Sequence, residues 1–180
     1  MFLKKGTLIQ PMLYGGSHER QRRAGTENLP GIVGLGKAAE IARKWLEGEG
    51  PAQMSALRDH LQDTLLRSAE AAGVNGLGAP RVSNTTNLWF DFIEGEALVI
   101  ALDLKGLAVS SGAACSSGAI EPSHVLLAMG LSQQRARSSV RLSLGKQTTQ
   151  EDIDFAIQVV PETVARLREI SPLYQKQTVG

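Results

Sequence analysis

Two short stretches alternate apolar and polar residues strictly enough to dictate what must surround them. In "TNLWFDF" Leu88, Phe90 and Phe92 alternate with Asn87, Trp89 and Asp91, and that period of two predicts a strand with two different faces. "SSVRLSL" alternates again and carries Arg141 between Val140 and Leu142. A strand with one apolar face is stable only when something covers that face, and the neighbouring segments read as helices. The expected fold class is therefore α/β with an α+β small domain: a small mixed or antiparallel sheet covered by helices.

The helices are signalled with unequal strength. Pro30 suits a first helical turn, and Ile32, Leu35, Ala39, Ala42 and Leu46 follow at helical spacing. A break at "EGEGP", residues 47–51, precedes a second amphipathic helix with Leu57, Leu61, Leu65 and Leu66 on one side. After a glycine-rich turn at 73–78 and the first strand, "EGEALVIALDLKG" predicts a helix ending at Gly106, and "LAVS" a short strand. Pro122 can open a short helix in "EPSHVLLAMG". The clearest helix starts at a capping box, Thr148-x-x-Glu151, and its apolar stripe is Ile153, Ala156, Ile157, Val160, Val164 and Leu167. Pro161 lies in that stripe and predicts a kink or a restart. At the other end "MFLKK" reads as the end of a strand followed by a turn at Gly6.

Composition narrows the function classes. A chain of 180 residues with 42% hydrophobic and 21% charged residues favours one packed domain, or a domain with an appended piece. A net charge of +1, with no long run of one sign, gives no electrostatic case for nucleic acid or an anionic membrane. No apolar run approaches the roughly 20 residues of a membrane span, and the N-terminus lacks the pattern of a signal peptide. The only cysteine is Cys115, and the three histidines, at 18, 60 and 124, are widely spaced. An internal disulfide framework and cysteine-rich metal sites are excluded, and the expected location is cytoplasmic.

"GIVGLGKA", residues 31–38, imitates a phosphate loop: it reads G-x-x-x-x-G-K and contains the outline of a dinucleotide-binding turn. A working P-loop needs a hydroxyl after the lysine to hold magnesium, and a buried strand before the glycines. Ala38 stands at the hydroxyl position and "TENLP" where the strand should be. Glycines within a helix cost about 1 kcal/mol each against alanine. The expectation is a close-packing face of Gly31, Gly34, Ala38 and Ala42, with nucleotide binding ranked last.

Cys115 lies in "SSGAACSSG". A lone cysteine is usually a small buried hydrophobe, but here its neighbours are small, flexible and polar. Such a loop can move and expose a thiolate, the nucleophilic form. Arg141 is the second candidate. On the inward face of a strand its guanidinium fork would suit a bidentate carboxylate; on an edge it would bridge to an acidic side chain. The residues alone leave both readings open.

Several stretches, in order, resemble one family. "GGSHERQRRAGTENLPGIVGLGKAAE", "EGEALVIALDLKGLAVSSGAACSSGAIEPSHVL" and "SSVRLSLGKQTTQEDID" are similar to the C-terminal part of pyridoxal-phosphate-dependent cysteine desulfurases. These are class-V aminotransferases of fold type I, and the match is to the branch serving iron–sulfur and nitrogenase cluster assembly. The resemblance implies that L-cysteine is processed with pyridoxal 5'-phosphate as electron sink, leaving a protein persulfide and releasing alanine. It implies that Cys115 is the nucleophile and at most a transient iron–sulfur ligand, with no other metal site. Arg141 would hold the substrate carboxylate. Thr26, in "RRAGTEN", would reach the cofactor phosphate of a neighbouring subunit, which implies a homodimer. An iron–sulfur scaffold or another sulfur-acceptor protein would take the persulfide sulfur; neither nucleic acid nor membrane is an implied partner.

By the same resemblance the lysine that binds pyridoxal phosphate belongs upstream of "MFLKKGT", and Lys4 and Lys5 do not replace it. The chain then corresponds to roughly the second half of such an enzyme. Residues 1–30 would be the tail of the large cofactor domain with the interface loop, 31–72 the connecting helices, and 73–180 the small domain with the cysteine loop. The isolated chain is expected to be inactive. A stand-alone persulfide-relay module is the alternative.

Overall fold

The computed structural model describes residues 3–111 and 121–174. It divides into two compact units, Met1–Glu47 and Gly48–Gly180, and the division falls between the two long helices.

In the first unit Gly6 turns the chain at φ +89°, and the Thr7 amide donates to the Lys4 carbonyl at 3.1 Å. Leu3 and Lys4 carry no strand, so the expected strand end is not found in its described part. β1 (Ser17–His18) and β2 (Arg23–Ala24) pair antiparallel, Ser17 opposite Ala24 and His18 opposite Arg23. Between them Glu19, Arg20 and Gln21 take φ of 47°, 55° and 63°, a left-handed turn made without glycine. Such backbone costs roughly 1 kcal/mol or more per residue for side chains with a Cβ.

α1 (Leu29–Glu47) follows, with Pro30 in its first turn. Its glycines do not share one explanation. A Cβ at Gly31 would stand 2.6 Å from Asn28 Nδ2, because the Asn28 side chain folds over the helix start and its Oδ1 accepts from the Gly31 amide at 3.1 Å. Gly31 therefore makes room for a helix cap. At Gly34 and Gly36 an added Cβ would meet nothing within 4 Å, so the close-packed face expected there has no neighbour among the described residues. All three glycines are helical, and a phosphate-cradling loop is ruled out at this place.

The second unit is a four-stranded antiparallel sheet with its three longest helices on one face. α2 (Gly50–Ser68) leads to β3 (Ala72–Val74) and β4 (Thr85–Phe90); then follow α3 (Gly95–Asp103) and β5 (Ser110–Ser111), α4 (His124–Ala128) and α5 (Gln133–Arg137), and finally β6 (Ser139–Ser143) and α6 (Gln150–Glu169). The spatial order is β3-β4-β6-β5. Leu88 lies opposite Val140 and Thr86 opposite Leu142, which puts Leu88, Phe90, Val140 and Leu142 on one face, while Phe92 falls beyond the end of β4 at φ 72° and leaves the expected alternation. Beneath them pack Leu61 and Leu65 of α2, Leu98 and Leu102 of α3, and Ile153, Val160 and Val164 of α6, all buried. Each fully buried Leu or Val in such a layer contributes about 1.5–3 kcal/mol over exposure. α2 and α6 also bring polar groups inside. Gln62 Oε1 accepts from Thr86 Oγ1 at 3.0 Å and from Arg81 Nη1 at 2.8 Å, and Arg58 Nη1 donates to the Val82 carbonyl at 2.6 Å.

Three local expectations shift. The capping box of α6 is built one residue later than predicted: Thr149 Oγ1 accepts from the Asp152 amide, and Asp152 Oδ2 accepts from the Thr149 amide at 2.8 Å. Thr148 instead closes the preceding turn, its Oγ1 accepting from the Gly145 amide at 2.9 Å. α6 runs through Pro161 as one helix, since its buried stripe continues on both sides of the proline. α5, not foreseen, is capped by Ser132, whose Oγ accepts from the Arg135 amide. No helix among the described residues is long and apolar enough to cross a membrane.

Candidate functional site

The other face of the sheet is polar. Alternation along β4 and β6 places Asn87 beside Arg141 and Trp89 beside Ser139. Arg141 also pairs with Ser110 of β5, so Asn87, Arg141 and Ser110 form one row across three strands. Directly opposed residues in such a row have Cβ atoms about 5 Å apart. Arg141 is exposed, and none of the described residues supplies its guanidinium with an ion pair or hydrogen bond. The inward position weighed for this arginine is not the one it takes: its neighbours Val140 and Leu142 point into the core.

Trp89 lies over the backbone of β3, where a Cβ on Gly73 would stand 2.4 Å from the indole. The Arg135 guanidinium stacks on the Trp89 ring, 4.1 Å from its centroid, and approaches Asp91 at 3.8 Å. Behind the row runs a hydrogen-bonded chain. Ser139 Oγ donates to the Arg135 carbonyl at 2.7 Å; Asn75 Nδ2 donates to Ser139 Oγ at 2.9 Å and to Asn87 Oδ1 at 2.6 Å. Asn75 and Ser139 are buried.

Cys115 lies outside the described residues. In sequence it is four positions beyond Ser111, the last residue of β5, which pairs with Val140, one position from Arg141.

Thr26 lies in the first unit, in the loop between β2 and α1, and is exposed. That loop is tied down from within. Arg23 Nη1 donates to the carbonyls of Gly25, at 3.1 Å, and Thr26. His18 Nδ1 meets Glu27 Oε1 at 3.1 Å. The Glu27 carboxyl titrates below its ordinary range, first because of a backbone amide bond and then because of His18. The left-handed turn at Glu19–Gln21 and the Arg23 clamp were not foreseen. The sequence signal for the clamp is only an arginine two residues before a glycine. Among the described residues no group of three or more His, Cys, Asp or Glu side chains could hold a metal ion.

A two-unit α/β chain, with an exposed arginine on the polar face of an antiparallel sheet, defines the class. Residues 6–155 match the aminotransferase class-V family, and the chain belongs to that family. It is similar to the cysteine desulfurase IscS of Methanosarcina thermophila, 47% identical over 98% of this chain and 43% of the relative. It is also similar to the cysteine desulfurase of Klebsiella pneumoniae, 45% identical over 97% of this chain and 44% of the relative. A solved NifS-like protein superposes with a TM-score of 0.76 at 33% identity, over 92% of this chain and 42% of its own. The NifS-like protein from Rickettsia africae gives 0.74 at 30% identity, over 88% and 41%. The fold is thus that of NifS-like enzymes, as the sequence motifs implied. The chain spans less than half the length of the relatives it matches.

Proposed function

We propose that this chain supplies the sulfur-accepting cysteine and the substrate-carboxylate arginine of a cysteine desulfurase. The reaction converts L-cysteine to alanine and leaves a persulfide on Cys115. In balance, the Cys115 thiol and the substrate thiol go to an enzyme persulfide and an alanine methyl group. The substrate C–S bond breaks, a sulfur–sulfur bond forms at Cys115 Sγ, and the electron pair left on the substrate carbon takes up a proton. No external oxidant is needed. A sulfur-acceptor protein, such as an iron–sulfur scaffold, then removes the terminal sulfur in a reducing, cytoplasmic setting.

The observation that carries this reading is the pairing of Ser110 with Arg141. It sets β5, the strand that precedes Cys115 in sequence, beside the strand that carries an exposed guanidinium. A guanidinium fork binds a carboxylate through two parallel charged hydrogen bonds, which would hold L-cysteine by its invariant end and leave its thiol free to meet Cys115.

Pyridoxal 5'-phosphate supplies the electron sink when bound. The described residues fit its phosphate end. The Thr26 hydroxyl is exposed, in a loop fixed by Arg23, and would donate to a phosphate oxygen of the neighbouring subunit's cofactor in a homodimer. The lysine that carries the cofactor is assigned outside residues 1–180, to the part of the enzyme that its relatives have in addition.

The test combines the purified chain with the remaining portion of a relative, pyridoxal phosphate, L-cysteine and a reductant. Sulfide release and the mass of one added sulfur on Cys115 are expected. Both should vanish with Cys115→Ser. Sulfide formed at an undiminished rate by Cys115→Ser would defeat the proposal.

A further inference from the structure

A hydrogen-bonded chain beside Arg141 fixes which end of the Asn87 amide is engaged and which is left free. A carbonyl only accepts, so the bond between Ser139 Oγ and the Arg135 carbonyl, at 2.7 Å, uses the serine's proton. Ser139 Oγ must then accept from Asn75, which turns the Asn75 NH2 group toward it at 2.9 Å. That same NH2 group meets Asn87 at 2.6 Å, so Asn87 presents its oxygen there. Asn75 follows β3, and β4 lies between β3 and β6. With its oxygen engaged by Asn75, the Asn87 amide has only its NH2 group left to offer, and Arg141 is its direct partner across β4 and β6.

Two donor groups therefore stand side by side on the sheet surface, and no described residue accepts from either. An oxygen of Asn87 facing Arg141 would have occupied the guanidinium; the buried Asn75–Ser139 pair prevents that. Adjacent donors are satisfied by one shared acceptor with several lone pairs, and a carboxylate has about four such sites. We propose that Asn87 is a substrate-binding residue that completes, with Arg141, a two-residue cradle for the α-carboxylate. Asn75 and Ser139 are the positioning residues that set its orientation. The inference rests on the reading of Arg141 given above and adds the second member of its site.

The test follows the modification of Arg141 by phenylglyoxal on the purified chain, by peptide mass spectrometry. Propionate is the carboxylate probe and propionamide the neutral control. In the parent chain propionate should slow modification of Arg141 severalfold and propionamide should not. Asn87→Asp keeps the shape and the bond from Asn75, but presents an oxygen to Arg141. It should slow modification without any probe, and the protection by propionate should disappear. Should Asn87→Asp fail to give the parent circular dichroism, Asn87→Thr, which suits a strand and lacks the NH2 group, should show weakened protection. Full protection in folded variants would overturn the role of Asn87 and leave that of Arg141 standing. Equal effects of propionate and propionamide on the parent chain would overturn both.

Discussion

Ser110 and Arg141 are opposite partners across β5 and β6, so the strand that leads to the cysteine segment is pinned to the strand that carries the arginine. This ties two sequence features 31 positions apart into one place. Replacing Arg141 by lysine keeps the charge but removes the planar fork. In the reconstituted enzyme, Arg141→Lys should lower kcat/KM for L-cysteine by about 10- to 100-fold, the value of a charged hydrogen bond of roughly 1.5–3 kcal/mol. Circular dichroism should not change, because the side chain is exposed. A variant with parent kcat/KM would show that Arg141 does not hold substrate.

Gly95 is where α3 meets the entrance of β6. A Cβ there would lie 2.7 Å from the Arg137 carbonyl oxygen and 2.8 Å from that of Ser139. Both obstacles are backbone, so relief requires moving α3 away from the sheet. Gly95→Ala should destabilise the second unit by about 1–3 kcal/mol despite alanine's better helix propensity. Urea denaturation measures it. The same substitution at Gly36, inside α1 with nothing within 4 Å, should be neutral or stabilising.

What the sequence made legible were features that repeat. The period of two in β4 and β6 placed Leu88, Phe90, Val140 and Leu142 in the core, and the period of the helices placed Leu61, Leu65, Val160 and Val164 against them. Features that depend on which strand lies beside which were not legible. Nothing in the order of residues says that Asn87 faces Arg141, or that Asn75 reaches Ser139 across 64 positions. Caps were legible to within one residue. Thr148 and Thr149 are both competent, and the choice fell to the turn at Gly145, which engages Thr148. Gly31 was misjudged as a packing glycine because the Asn28 cap that needs the space is a side-chain conformation. Thr26 owes its role to the resemblance alone, whereas Cys115 was legible as a nucleophile from its small polar neighbours and owes only its persulfide chemistry to the resemblance.

Arg168 clasps the end of α6 to the sheet at two strained places. Its Nε donates to the Asp91 carbonyl and its Nη2 to that of Ala71, each at 3.1 Å. Ser171 Oγ donates to the Phe92 carbonyl at 2.6 Å. Ala71 and Phe92 have φ of 46° and 72°, conformations that side chains other than glycine adopt at a cost. The side chain is buried, and that burial lowers its pKa. Arg168→Met fills the space but leaves the Asp91 carbonyl without this donor. It should cost about 1–3 kcal/mol and lower Tm by several degrees. Arg168→Lys, whose single ammonium lacks the fork, should recover only part of the loss.

The α6 cap gives the fold an acid-sensitive element with a defined sign. Asp152 is held below its ordinary value of 3.8, first by the Thr149 backbone amide and then by the Thr149 side chain. A carboxyl with a lowered folded-state pKa contributes stability above its unfolded pKa, and that contribution is lost as pH falls through the folded value. The contribution should therefore be constant at neutral pH and disappear below about pH 4. Thr149→Ala removes the hydroxyl cap and should cost about 1 kcal/mol at pH 7. Asp152→Asn keeps an acceptor without the titration, so its stability should fall less steeply with acid than that of the parent chain. Urea midpoints between pH 3 and pH 7 check both. If parent and Asp152→Asn lose stability in parallel below pH 4, the cap is not the acid-sensitive element.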